Sequence, residues 1–139
     1  MTTSTNQHRE LARGQSATSG VLTVSDTRTE SDDQSGQTII KALEGAGHAV
    51  KAYAIVKDEP DQIGTELRRW LQRGDLDLIC TTGGTGISSR DTTIEVVRGL
   101  LDKEIEGFGQ LFRMLSWDEV GPAAMLSRTV AGLAGQTLV

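Results

Sequence analysis

The segment Thr81-Thr-Gly-Gly-Thr-Gly-Ile-Ser-Ser-Arg-Asp91 concentrates residue types from which a ligand site can be built. Its glycines permit positive φ and let amide N–H groups approach a ligand with no Cβ in the way, so Gly83-Gly84-Thr85-Gly86 could cradle a pterin or a phosphate. Arg90 adds a planar charged fork suited to an oxyanion. The segment enters a predicted helix near Thr92, whose first N–H groups and positive dipole end favour anions. Its spacing fits neither the Walker loop nor the dinucleotide fingerprint, so a ligand loop and a structural turn both stand as readings.

Asp91 closes this segment. A carboxylate beside a phosphate site acts as a magnesium ligand or polarises an attacking oxygen, whereas an Asp at a helix start also serves simply as an N-cap. Asp58, in Lys57-Asp-Glu-Pro60, has two readings as well: a carboxylate sharing a cation with Asp91 at one sheet edge, or a residue of a polar turn. Asp26, Asp32, Asp33 and Ser35 fall in the loop after the first predicted strand, with Ser35 placed to cap the following helix. His8 and His48 lack partners at metal-ligand spacing. Cys80 lies in an apolar run and reads as core, and Trp70 and Trp117 read as packing residues on helices.

These residues must be positioned by alternating strands and helices. Gly20 to Ser25 and His48 to Val56 are β-branched or apolar runs that end in polar loops, and Asp77 to Thr82 has the continuous apolar pattern of a central parallel strand covered on both faces. Ile39, Leu43 and Ala46 recur at helical spacing before the stop at Gly45 and Gly47. Ile63, Leu67, Trp70 and Leu71 do so before Gly74. Thr92 to Leu101, Phe108 to Val120 and Pro122 to Leu133 read as further helices, and Gln136 to Val139 begins another strand. The expected fold is a three-layer, doubly wound α/β domain with a mostly parallel sheet and helices on both faces. Residues 1 to 19 are polar, with almost no apolar side chains, and read as a disordered arm.

The net charge of −5 removes the basic field on which nonspecific binding to nucleic acid or anionic membrane depends. A single cysteine excludes an internal disulfide and a cysteine-built zinc cage. The first residues lack the order of a signal peptide, and no apolar run approaches the roughly 20 residues that span a bilayer. A cytoplasmic protein is expected.

Seven segments in order, Leu22-Thr-Val-Ser-Asp26, Asp33-Gln-Ser-Gly36, Ile55-Val-Lys-Asp-Glu59, Thr81 to Gly86, Arg90-Asp91, Gly107-Phe-Gly109 and Leu126-Ser-Arg128, resemble the MoaB/Mog family of molybdenum cofactor biosynthesis proteins, to which the gephyrin G domain is related. Glu106 to Gly121 is similar to the MoaB branch. The resemblance covers about Gly20 to Val139 and implies a molybdopterin-binding fold. It also implies nucleotidyl transfer: AMP passes from Mg-ATP to the terminal phosphate of molybdopterin, and pyrophosphate is released. By motif position it makes Asp58 and Asp91 the catalytic, magnesium-holding acids. It puts Gly83, Gly84, Thr85, Gly86 and Arg90 at the pterin site, with Ser25, Asp26 and Ser35 as further ligand-side residues. A trimer or hexamer is implied too, and a catalytically weak pterin-binding or assembly protein of the same pathway is the alternative. Two departures stand out. Ile94 occupies a position where the family usually has proline, and the chain stops after Thr137-Leu-Val139, where the family continues through a Leu-Pro-Gly-Ser loop and a helix. A shortened, less stable and less active domain is the expectation from the second.

Overall fold

A computed structural model describes residues 3–85 and 87–139 of the chain. In chain order the elements are α1 (Thr3–Ala12), β1 (Thr18–Val24), α2 (Gln34–Gly45), β2 (Ala49–Val56), α3 (Pro60–Arg73), β3 (Leu78–Thr82), α4 (Thr93–Leu100), β4 (Lys103–Glu104), α5 (Glu106–Val120), a 3-10 helix (Gly121–Leu126), β5 (Gly132–Ala134) and β6 (Thr137–Leu138). The sheet order is β2-β1-β3-β6-β5-β4. β1 pairs in parallel with β2 and β3, β3 pairs in parallel with β6, and the last two pairings are antiparallel. This is the expected mostly parallel α/β sheet, closed on one side by an antiparallel edge.

β1 is the spine. Six of its seven residues are buried, and alternation sends them to two faces. Gly20, Leu22 and Val24 face α3. Trp70 lies so close to Gly20 that a Cβ there would sit 2.9 Å from the indole ring. Leu22 and Val24 join Ile63, Leu67, Trp70, Ile79 and Val97 in one apolar core. Thr23 points the other way, where its hydroxyl meets Asp33 at the start of α2. One strand thus holds helices on both faces, and a one-residue slip would exchange its two sets of partners.

Several elements depart from expectation. The complete burial predicted for the strand after Asp77 belongs instead to β1. In β3 only Ile79 is buried, because β3 pairs along its length with β1 but with β6 only at Leu78. Pro122 to Leu133 is not an α-helix: after the 3-10 turn the chain runs extended into β5. Gly132 packs there against the Lys103 carbonyl, which a Cβ would approach to 2.3 Å. Leu126, Val130 and Leu133 have helical spacing, but strand pairing overrides it. Residues Thr3–Ala12 form a helix where composition predicts no order, and none of them is buried. Trp117 is 57% exposed rather than packed. No helix among the described residues is long and apolar enough to cross a membrane.

Asp33, not Ser35, caps α2: its Oδ1 accepts the Gly36 amide at 3.1 Å. Its other oxygen accepts the Thr23 hydroxyl at 2.6 Å and the Tyr53 hydroxyl at 2.5 Å, so one buried carboxylate ties β1, β2 and α2 together. Burial alone would raise its pKa. The hydrogen bonds from Thr23, Tyr53 and Gly36 together outweigh burial and hold it below the ordinary 3.8. Burial and the bond to Asp33 push the Tyr53 phenol up to about 12. A carboxyl with a lowered folded pKa adds stability that is complete above its unfolded value and is lost as pH falls through the folded one. A phenol with a raised pKa adds stability that fades above its unfolded value near 10. Asp33→Asn is therefore expected to lower stability by about 2 kcal/mol at neutral pH. Urea titrations at several pH values should show the gap between variant and parent closing below pH 3.8. A gap independent of pH would refute the role given to this carboxylate.

Candidate functional site

Parallel register brings three strand ends level: Val24 of β1 stands beside Val56 of β2, and Thr23 beside Thr82 of β3. The loops that leave these ends converge at the carboxyl edge of the sheet, where open α/β folds place ligands. Gly83 and Gly84 both have positive φ, +96° and +63°. A Cβ on Gly83 would lie 2.1 Å from the Val24 carbonyl oxygen. One on Gly84 would lie 2.2 Å from the Thr93 hydroxyl and 3.1 Å from Asp58 Oδ2. Both glycines are therefore required by backbone conformation and by close approach. The loop is sewn to the start of α4 by Thr93, whose hydroxyl donates to the Gly83 carbonyl at 2.9 Å and whose amide donates to the Gly84 carbonyl at 3.2 Å. Thr85 is half-buried, and Gly86 lies outside the described residues.

Asp58 is buried, and its Oδ1 accepts the Thr92 hydroxyl at 3.0 Å and the Thr92 amide at 3.3 Å. It is thus more than a turn residue, since it holds the entry to α4 from a different loop. Asp91, half-buried, is not the N-cap of α4. The cap position is Thr92, and Asp91 Oδ2 accepts the Ser88 amide at 3.0 Å in a local turn. The fold therefore brings the two acids to neighbouring positions, because Asp58 grips the residue next to Asp91. The expected anion seat of free helix amides is partly filled: Asp58 takes the Thr92 N–H and Gly84 the Thr93 N–H. Ile94, which departs from the resembled pattern, is buried in the core.

Arg90 crosses the site. Its guanidinium donates to Asp26 Oδ2 and Glu59 Oε1, each at 2.9 Å, and so joins all three loops. Asp26 Oδ1 accepts the Asp58 amide at 3.1 Å. The hydrogen bond from Arg90 holds the Asp26 carboxyl below its ordinary range, and Arg90 is raised further above its own. Ser25 shapes the first loop, accepting the Arg28 and Thr27 amides at 3.1 and 3.3 Å. Ser35 is exposed in the first turn of α2, where its hydroxyl accepts from Arg28 at 3.4 Å.

Three depressions open at this edge, one of about 430 Å³ over Lys57, Glu59 and Pro60. Another, of about 340 Å³, is lined by Ser25, Asp26, Arg28 and Lys57 among others. The third, of about 280 Å³, is lined by Ile87, Ser88, Asp91, Glu95 and Arg128 among others. Arg128 pairs with Glu95 and holds the Glu95 carboxyl low. Sequence reading gave no role to Thr92, Thr93, Glu59, Glu95 or Arg128. Glu59 and Arg128 alone left a trace, each as the last residue of a matched segment. The remaining candidates are structural: His48 Nδ1 accepts the Ala17 amide at 2.9 Å, and burial pushes the half-buried Cys80 thiol up, the reverse of nucleophile activation. Among the described residues no cluster of three or more His, Cys, Asp or Glu could hold a metal by itself. A cation shared by the two carboxylates would need further oxygen donors from a bound ligand or water.

Residues 20–138 match the family described as "Probable molybdopterin binding domain". The Molybdenum cofactor biosynthesis protein B of Bacillus cereus is 49% identical over 120 residues, covering 86% of this chain and 71% of that protein. A crystal structure of Molybdenum cofactor biosynthesis protein B superposes with TM-score 0.86 at 48% identity, over 90% of this chain and 78% of the other. The tungsten cofactor synthesizing protein MoaB of Pyrococcus furiosus superposes with TM-score 0.79 at 38% identity, over 90% and 79%. MogA has the same TM-score at 34% identity, over 87% and 80%. Ordered motifs, sheet topology and these likenesses agree, and the chain belongs to the MoaB/Mog family of molybdenum cofactor biosynthesis proteins, on its MoaB branch.

Proposed function

We propose that this chain acts in molybdenum cofactor biosynthesis in the cytoplasm as a molybdopterin adenylyltransferase. It binds molybdopterin and Mg-ATP, an oxygen of the pterin's terminal phosphate attacks the α-phosphorus of ATP, and the bond to the β-phosphate breaks to release pyrophosphate. The observation that carries the reading is the convergence of Asp58, Asp91, Arg90 and the glycine loop on one sheet edge. Transfer between phosphates needs positioning and charge neutralisation more than covalent help.

The donor set fits magnesium. Asp58 Oδ2 and Asp91 Oδ1 accept no hydrogen bond among the described residues, and Mg²⁺ is commonly held by one or two carboxylates together with substrate phosphates. When bound, the cation would neutralise charge on the phosphates. The chain's own work is positioning. Asp58 fixes the entry to α4, Thr93 fixes the glycine loop against the pterin or phosphate, and Arg90 is the fork that can turn from Asp26 and Glu59 toward an anion. Ser25, Asp26 and Ser35 border the ATP side in this proposal.

The protein also associates with copies of itself, as a trimer or hexamer, through α5. Phe108, Leu111, Phe112 and Leu115 follow i, i+3, i+4, i+7 spacing and are 40 to 74% exposed, while Gly109 is the only buried residue of that helix. An apolar stripe of this kind on a water-facing helix marks an interaction face.

Two measurements test these readings. Turnover of molybdopterin with Mg-ATP, followed as pyrophosphate, is expected to fall by roughly 100-fold or more in Asp91→Asn while pterin binding survives. A parent that binds pterin without turnover would instead make the chain a binding or assembly protein of the pathway. Light scattering of a Leu111→Glu/Leu115→Glu variant should give a smaller particle than the parent, with unchanged far-ultraviolet dichroism. Equal masses would remove α5 from any interface.

A further inference from the structure

The loop between Gly84 and Thr92 carries Asp91 and Arg90, and Ile87 within it is 71% exposed, so its geometry depends on a few polar ties. Arg90 ties it to the neighbouring loops, and Thr93 ties Gly83 and Gly84 to α4. Asp58 holds Thr92 at its exit and a local turn joins Ser88 to Asp91, while the ties that span both ends come from one residue far along the chain. The Arg128 amide donates to the Thr85 carbonyl at 3.1 Å. Its Nη2 donates to the Asp91 carbonyl at 2.9 Å and reaches Glu95 Oε2 at 3.4 Å, while Nη1 pairs with Glu95 Oε1. A single residue therefore grips the loop at its entry, at its exit and at the first turn of the helix that follows.

Arg128 is itself anchored. Its neighbour Thr129 lies beneath α5 at Gly109, where a Cβ would stand 3.3 Å from the Thr129 hydroxyl. Arginine suits the task because its planar fork reaches a carbonyl and a carboxylate together, which a lysine ammonium cannot reproduce. An ion pair as exposed as that with Glu95 adds little to global stability. What the pair controls is where the loop stands.

We propose that Arg128 is a positioning residue, a clamp on both ends of the glycine loop that sets where the Asp91 carboxylate stands. Its kinetic consequence rests on the adenylyl-transfer reading, but the clamp itself does not.

The test compares the full chain with Arg128→Met and Arg128→Lys, each also in an Asp91→Asn background. Amide exchange at Ser88, Asp91 and Thr93, measured by nuclear magnetic resonance, is expected to quicken several-fold in Arg128→Met, with the melting temperature within about 2 °C of the parent. Turnover should fall by roughly 10- to 100-fold in kcat, with little change in KM for ATP, because misplacing a catalytic group by about 1 Å costs up to that much. Arg128→Lys should restore little of either. In the Asp91→Asn background the Arg128→Met change should cost nothing further, since it acts through Asp91. Unchanged loop exchange would overturn the clamp whatever the turnover, and so would equal losses in both backgrounds. Faster exchange in a protein whose parent shows no turnover would support the clamp and overturn the adenylyl-transfer reading instead.

Discussion

The approach of Gly83 to the Val24 carbonyl is the constraint on which the site depends. It arises because β1 pairs in parallel with both β2 and β3, so that three strands end at one level and three loops must share one edge. With no Cβ at Gly83, the loop from β3 can fold over the end of β1 instead of away from it. Gly84 repeats the device against Thr93 and Asp58. Two missing side chains thus set the distance between loops that are far apart in sequence. The polar bonds of Thr92, Thr93 and Asp58 form only because that distance is short.

The arginines at this edge are already paired in the protein alone. Asp26 and Glu59 hold Arg90, Glu95 holds Arg128, and Asp58 holds Thr92. A phosphate arriving there meets arginines that already have partners and carboxylates that repel it. In the proposed function a divalent cation would resolve the conflict, because it would convert those carboxylates from repulsive neighbours into ligands. On that proposal a protein of net charge −5 would attract an anionic substrate through a local cation and a local fork, not through the field of the whole molecule.

The sheet and most of its helices were legible because their signals are local. β-branched runs, helical periodicity and glycine stops follow from the residues themselves, and the left-handed Gly74 ends α3 where the pattern stops. At Pro122 to Leu133 and at Ser35 a distant partner overrides the local pattern. The stretch after Pro122 has helical spacing, yet Gly132 is drawn into pairing beside Lys103. Ser35 is a good cap by type, but Asp33 has the Thr23 and Tyr53 hydroxyls to hold its carboxylate in place, and it takes the cap. Asp58 and Asp91 could be named from sequence as candidates. The bonds that bring them together run across 34 residues, through Thr92, and no spacing announces them.

α5 shows a further limit of periodic patterns. Its apolar residues recur as they would on a core-facing helix, yet only Gly109 is buried, and the stripe from Phe108 to Leu115 faces outward. Periodicity reports that a face avoids water; it does not report what covers it. The helix is rooted where Gly109 rests on Thr129, one residue from the Arg128 that holds the glycine loop. The exposed apolar stripe and the residue gripping the site thus meet at adjacent positions of one extended segment, Arg128-Thr129.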